Sequence, residues 1–115
     1  MKHIYFLVFL LGSWIHAYAQ GQANIWYFGA MAGLDFNSGT PVALTNGALS
    51  TFEGSASISD QNGNLLFYTD GIRVWNRNHV QMPNGFGMLG DPSSAQSALI
   101  VPKPGNPNWY YVFTV

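Results

Sequence analysis

The chain has 115 residues, 48% of them apolar and only 8% charged, with a formal net charge of −1 and no cysteine. This length allows one small domain, and the apolar content excludes a disordered polar tail. Low charge excludes the basic face that a nucleic-acid partner needs, and the missing thiols exclude disulfides, thiol catalysis and cysteine-based zinc sites.

The N-terminus reads as an export leader. Lys2 gives a basic start, Ile4 to Ile15 is apolar apart from Gly12-Ser13, and His16-Ala17-Tyr18-Ala19 ends in a small-x-small pattern. Signal peptidase requires small side chains at those two sites, so the cut is expected between Ala19 and Gln20. A membrane anchor is the plainer alternative, but a spanning helix needs roughly 20 apolar residues and this run is shorter. Residues 1–19 are therefore read as a cleavable signal peptide, and residues 20–115 as the mature chain. Without Lys2 the mature part keeps Arg73, Arg77 and Lys103 against five carboxylates, a net charge of −2.

Beyond the leader the chain breaks into short apolar runs separated by turn residues. Ile25 to Phe28 is expected as an aromatic strand ended by Gly29. Ala30 to Thr51 is looser, with turns at Asn37-Ser38-Gly39 and Asn46-Gly47 and a strand over Pro41 to Leu44. The clearest region runs from Ser55 to Met82. Strands are expected over 55–59, 65–69, 72–76 and 79–82, with turns at Asp60-Gln61-Asn62-Gly63, Asp70-Gly71 and Arg77-Asn78. Asp-Gly suits a two-residue type I′ hairpin turn because both residues tolerate positive φ. Four strands, each beside the last, form an antiparallel meander.

The turn sets an expected register. With Asp70-Gly71 at the tip, Thr69 faces Ile72, Tyr68 faces Arg73, Phe67 faces Val74 and Leu66 faces Trp75. One side of the sheet then carries Leu65, Phe67, Ile72 and Val74. The other carries Leu66, Tyr68 and Trp75, with Arg73 as its single charge. A sheet wetted on one side alternates cleanly, whereas this one is greasy on both and requires a neighbour on each face.

A weak internal repeat favours a stack of such sheets. Ser55-Ala56-Ser57-Ile58, a turn, and Leu66-Phe67-Tyr68-Thr69 resemble Ser97-Ala98-Leu99-Ile100, a turn at 104–107, and Tyr111-Val112-Phe113-Thr114. Ser97 follows Ser55 by 42 residues and Thr114 follows Thr69 by 45. A four-stranded propeller blade repeats at roughly 40–50 residues. The expected fold is all-β, an antiparallel meander within an incomplete β-propeller-like domain, with a β-sandwich as the alternative. The apolar run from Trp109 to Val115 has no polar cap, so the domain is expected to be truncated at that end.

Several segments also resemble a known group. These are Asn24 to Gly29, Gly33 to Phe36, Asn62 to Gly71, Val74 to His79, Met82 to Gly85 and Ser97 to Gly105. In this order they resemble the N-terminal region of large secreted Bacteroidota proteins of the gliding-motility-associated, type IX secretion sorting-domain type. The resemblance implies a propeller-like front followed by immunoglobulin-like or PKD repeats and a C-terminal sorting domain. It further implies type IX secretion and residence outside the cell. It transfers no catalytic residue.

The residues that could carry chemistry each have a plainer reading. Asp60 to Asn64 has the oxygen-rich look of a calcium loop, but its glycine is fourth where an EF-hand has the sixth, and Gly71 stands where the glutamate belongs. A plain Asx turn is the better reading. The same loop falls one residue out of step with the Asp-box of sialidases, itself a structural turn. His79 has no second histidine or carboxylate near it in sequence and reads as a turn or edge residue rather than a base. Asp35, Glu53, Asp70 and Asp91 form no pair facing one glycosidic bond. Trp26, Trp75 and Trp109 could make a sugar platform but read more simply as core. Ser93, Ser94 and Ser97 lack the Gly-x-Ser-x-Gly elbow of a nucleophile.

No catalytic, cofactor-binding or metal-ligating residue is therefore assigned, and no cofactor is expected. The leading expectation is a non-catalytic secreted or cell-surface module for adhesion or ligand binding, part of a larger multidomain protein. Its ligand would be an extracellular carbohydrate or protein, with no nucleic acid and no stable membrane span. The alternative is a secreted hydrolase acting on polysaccharide or peptide, with its catalytic residues beyond residue 115.

Overall fold

The computed structural model describes residues 21–115. The leader and its cut site before Gln20 lie outside the described residues. Among the described residues eight strands form three antiparallel sheets. The first sheet has β1 (Ile25–Phe28), β2 (Ala32–Asp35) and β3 (Val42–Leu44) in that order. The second has β4 (Ala56–Ser59), β5 (Leu65–Thr69) and β6 (Val74–Asn76), and the third has β7 (Ala98–Pro102) and β8 (Tyr110–Thr114). Every pairing joins strands that are neighbours in the chain, so the protein is an all-β antiparallel meander, with no α-helix among the described residues.

The turns between strands share one device. Side-chain oxygens of Asp35, Asp60, Asp70, Asn76, Asp91 and Asn106 each accept the backbone N–H two residues later. A short Asx side chain mimics a backbone carbonyl in this way and reverses the chain. Asp60 goes furthest: Oδ1 accepts the N–H groups of Asn62 and Asn64, and Oδ2 accepts Asn64 Nδ2 at 2.9 Å.

β1 and β5 form where their aromatic and aliphatic runs predict. β2 does not read as a strand, since Ala32-Gly33-Leu34-Asp35 has no β-branched residue. It is held by its pairing with β1 on one side and β3 on the other.

The hairpin after β5 departs from the expected two-residue turn. The observed partners are Phe67 with Asn76, Tyr68 with Trp75 and Thr69 with Val74. Asp70 is the cause. Its Oδ1 accepts the N–H groups of both Ile72 and Arg73, at 2.8 and 2.7 Å, and Thr69 Oγ1 accepts the Gly71 N–H and donates to the Arg73 carbonyl. Residues 70–73 thus become a four-residue loop, with Ile72 and the exposed Arg73 outside the strand. The register moves by two residues, an even step, so Val74 and Trp75 keep their expected faces.

A β-bulge changes the faces elsewhere. Ile58 pairs with Phe67 but Ser59 pairs with Leu65, leaving Leu66 as an extra residue in β5. The alternation is broken there. Leu65 joins Tyr68 and Trp75 on one side, while Leu66 joins Phe67 and Val74 on the other, the reverse of the expected placement. Ser59, at the bulge, is fully buried with a hydroxyl that has no hydrogen-bond partner. The expected fourth strand over 79–82 is reduced to a single bridge, Trp75 to Gln81, flanked by bonds from Asn76 N to Val80 O and Met82 N to Val74 O. His79 enters this segment at φ 61, which no regular strand allows.

The first strands of the three sheets lie beside one another, β4 between β1 and β7. Serine hydroxyls tie them. Ser55 Oγ donates to Tyr27 O at 2.9 Å, Tyr27 N–H donates to Ser57 Oγ at 2.9 Å, and Ser97 Oγ donates to Gly54 O at 2.7 Å. Between the first two sheets sits the core, built from Tyr27, Leu49, Leu65, Tyr68 and Trp75, with Ile25, Leu44 and Ala48 partly buried against it. On its other face Phe67 meets Tyr110 of β8 edge-on, ring centroids 5.4 Å apart. The middle sheet is thus covered on both sides, as its two greasy faces require.

The repeat is present as two hairpins with matching opening pairs, Ala56 with Thr69 and Ala98 with Thr114. Their faces do not match. Tyr68 points toward the preceding sheet, whereas Phe113, its sequence counterpart, is exposed, and Val112 is the residue turned toward the preceding sheet. The two hairpins differ by a one-residue step that the sequence similarity conceals.

Candidate functional site

Two places in the fold gather side chains that could do more than hold a sheet together. One is polar. His79 packs beside both Tyr27 and Tyr68, with ring centroids 5.2 and 5.9 Å away, and the two tyrosines stack on each other at 4.5 Å. Tyr27 Oη donates to Asn46 Oδ1, Asn46 Nδ2 faces His79 Nε2, and His79 Nδ1 faces Tyr68 Oη, all at 2.9–3.0 Å. Tyr68 Oη also accepts the Ala48 N–H at 2.9 Å.

The amide orientation fixes the proton positions. With Asn46 Oδ1 taken by Tyr27, the amide donates to Nε2, and Nδ1–H donates to Tyr68. Both ring nitrogens are engaged, and no carboxylate belongs to the network. Burial pushes the Tyr27 hydroxyl above its ordinary value, reinforced by the Tyr68 hydroxyl beside it, and burial likewise raises Tyr68. Through its two ring nitrogens His79 ties the turn after β6 to Asn46 and to Tyr68. Nothing in the residue order points to Asn46, which sits 33 residues away and reads as part of a turn.

The other place is apolar. A cleft of about 660 Å³ opens between the second and third sheets. Leu66, Phe67 and Val74 form one wall, Tyr110 and Val112 the other, and Met82 to Gly85 close one end. Its polar rim is Asp60 and Asn108. Hydrogen bonds from Asn64, first its side chain and then its backbone, hold the Asp60 carboxyl below the ordinary carboxylate range, so the rim carries a negative charge near neutral pH.

The remaining candidates do not converge. Asp35, Asp60, Asp70 and Asp91 are each engaged in their own turns, and Glu53 is exposed. Among the described residues no three histidine or carboxylate side chains are placed to hold a metal ion. Ser97 is buried with its hydroxyl on Gly54 O, where no substrate reaches it. The tryptophans separate. Trp75 is core, but Trp26 and Trp109 are exposed, which overturns the core reading for both. Trp26 leans on Phe36 at 4.9 Å and donates Nε1–H to Ala23 O, while the Lys103 ammonium sits 4.7 Å over the Trp109 ring. Trp26 lies on β1 and Trp109 in the loop before β8, and the two form no common platform.

The outward faces of the end sheets are apolar. Trp26 and Phe28 are exposed on the first, and Leu99, Tyr111 and Phe113 on the third. No helix among the described residues is long and apolar enough to cross a membrane. No protein-family model, no curated protein and no solved structure matches the chain.

Proposed function

We propose that this chain is a non-catalytic module of an exported, cell-surface or secreted protein of the Bacteroidota type IX secretion kind, serving adhesion or ligand binding. The observation that carries the reading is where the reactive groups go. The four aspartates are spent on Asx turns and His79 on a closed network, so the polar inventory builds structure. Both end sheets also turn apolar side chains outward.

That surface also supports a propeller-like stack. The middle sheet is covered on both faces by sheets of its own kind, and β1, β4 and β7 lie side by side as inner strands of successive blades would. Large exposed apolar faces mark places that meet another protein surface. Further sheets of the same kind would cover Trp26 and Phe28 on one side and Leu99 and Phe113 on the other.

The test is fractionation of cells that express the full chain, with N-terminal sequencing of the product. A mature N-terminus at Gln20 in the envelope or medium is expected. Protein that stays in the cytoplasm with Met1 to Ala19 intact overturns the reading, as does turnover of a polysaccharide or peptide by the purified chain.

A further inference from the structure

Asn46 is followed by Gly47. In an Asn–Gly pair the next backbone nitrogen can reach the side-chain amide carbon with little hindrance, because glycine has no Cβ in the way. The chain has three such pairs, at 46–47, 62–63 and 84–85. Two of them are locked. Gly63 N–H donates to Asp60 O at 3.0 Å and Gly85 N–H to Met82 O at 2.9 Å, and both glycines are buried. A nitrogen held this way in a turn is not free to swing onto the neighbouring carboxamide. Gly47 N–H has no hydrogen-bond partner among the described residues, and Asn46 is exposed to water.

The fold nevertheless calls for this pair. A Cβ at position 47 would lie 2.8 Å from Tyr27 Cδ1 and 3.1 Å from the Met31 carbonyl oxygen, so a larger residue would have to displace the Tyr27 ring. Asn46 in turn joins two side chains that do not bond to each other. Its Oδ1 accepts from Tyr27 Oη and its Nδ2 faces His79 Nε2, both at 2.9 Å. The Tyr27 hydroxyl thus aims its proton at the oxygen on which negative charge gathers when Cγ is attacked.

We infer that Asn46 is a site of spontaneous modification, at which attack by the Gly47 nitrogen and then water turns the amide into a carboxylate beside His79. The bond from Gly47 N to Cγ forms as the bond from Cγ to Nδ2 breaks, and ammonia leaves with the proton that Gly47 N gives up. Water then opens the cyclic imide, at Cγ to give aspartate or at the backbone carbonyl to give isoaspartate. The aspartate suits its surroundings. Its oxygens accept from Tyr27 Oη and from His79 Nε2, which now carries the ring proton. Nδ1 becomes the acceptor, and Tyr68 Oη turns its own hydrogen toward it while still accepting the Ala48 N–H. The network gains a negative charge next to an imidazole and loses no hydrogen bond. The reaction needs only the chain and water, and holds whatever the module binds.

The test is to age the full, unaltered chain at neutral pH and map its fragments by mass, scoring the gain that marks exchange of an amide NH2 for OH. In the folded chain Asn46 is expected to convert about tenfold or more faster than Asn62 or Asn84, and in urea the three rates should converge. Equal rates in the folded chain overturn the site, as does an Asn46 that is spared while the unfolded chain converts. A second measurement reads the product. In Asn46→Asp the ring nitrogen shifts of His79 should show the proton on Nε2, where the parent carries it on Nδ1. An unchanged tautomer overturns the link to the His79 network.

Discussion

Tyr27 and Tyr68 stack with ring centroids 4.5 Å apart and planes inclined at 23°, one ring from the first sheet and one from the second. Their hydroxyls diverge to Asn46 and to Ala48 and His79, so a single aromatic pair links β1, β5, the loop after β3 and the turn after β6. The contact is apolar at its centre and hydrogen-bonded at its rim. Both halves are open to measurement.

Tyr68→Phe keeps the stack and removes the hydroxyl. The Ala48 N–H and His79 Nδ1 then lose their partner in a part-buried setting, at a cost of about 1–3 kcal/mol. Tyr27→Phe frees only Asn46, which is exposed, and should cost less. Urea unfolding midpoints of the two variants order them.

Leu65→Ala and Leu66→Ala separate the bulge from a regular strand. Leu65 belongs to the closed core, and its truncation is expected to cost about 2–5 kcal/mol. Leu66 lines the open cleft, where a smaller side chain leaves space that water already reaches, so its loss should be well under half as large. Equal midpoint shifts would contradict the bulge.

Ser59→Ala removes a buried hydroxyl that has no partner. The variant should be as stable as the parent or more so, by up to about 1 kcal/mol. A clear loss of thermal stability would mean that the hydroxyl is bonded in solution.

Gly71→Ala tests the junction of the second and third sheets. Gly71 has φ 88, and a Cβ there would lie 2.6 Å from the Ser97 carbonyl oxygen. Strain and overlap together should cost more than the roughly 1 kcal/mol of an ordinary misplaced alanine. Ser97 amide shifts would report movement of β7.

Alkaline stability follows from the tyrosines. Their folded-state pKa values are raised by burial, so the folded chain holds protons that the unfolded chain releases. Stability is therefore full below the ordinary tyrosine value of about 10 and falls as pH climbs through the folded values. Phenolate absorption should show two tyrosines titrating late and together with unfolding. Asp60 has the opposite sign: its stabilising contribution is present above about pH 4 and fades as pH drops through its lowered value.

Much of the fold could be read from residue order because its signals are local. The aromatic run of β1 and the Leu-Leu-Phe-Tyr-Thr of β5 are strands on their own terms, and each Asx turn opens on an Asp or Asn, four of the six with an Asn two residues on. What failed was non-local or hinged on one side chain. Asp70-Gly71 looks like a tight hairpin tip, yet the carboxylate of Asp70 reaches two N–H groups ahead and widens the loop. Two adjacent leucines cannot announce which of them is the bulge. Ala32 to Asp35 is a strand only because β1 and β3 flank it. The Asn46–His79 link joins residues that no spacing rule connects.

Pairing confined to chain neighbours has a consequence for assembly. Each ribbon can close as soon as its own few dozen residues are available, since hairpins form in about 1–10 μs and short contour distances favour fast folding. A polypeptide arriving from one end can finish its first ribbon before the last has emerged, and each completed ribbon then offers the next a ready-made surface to zip against.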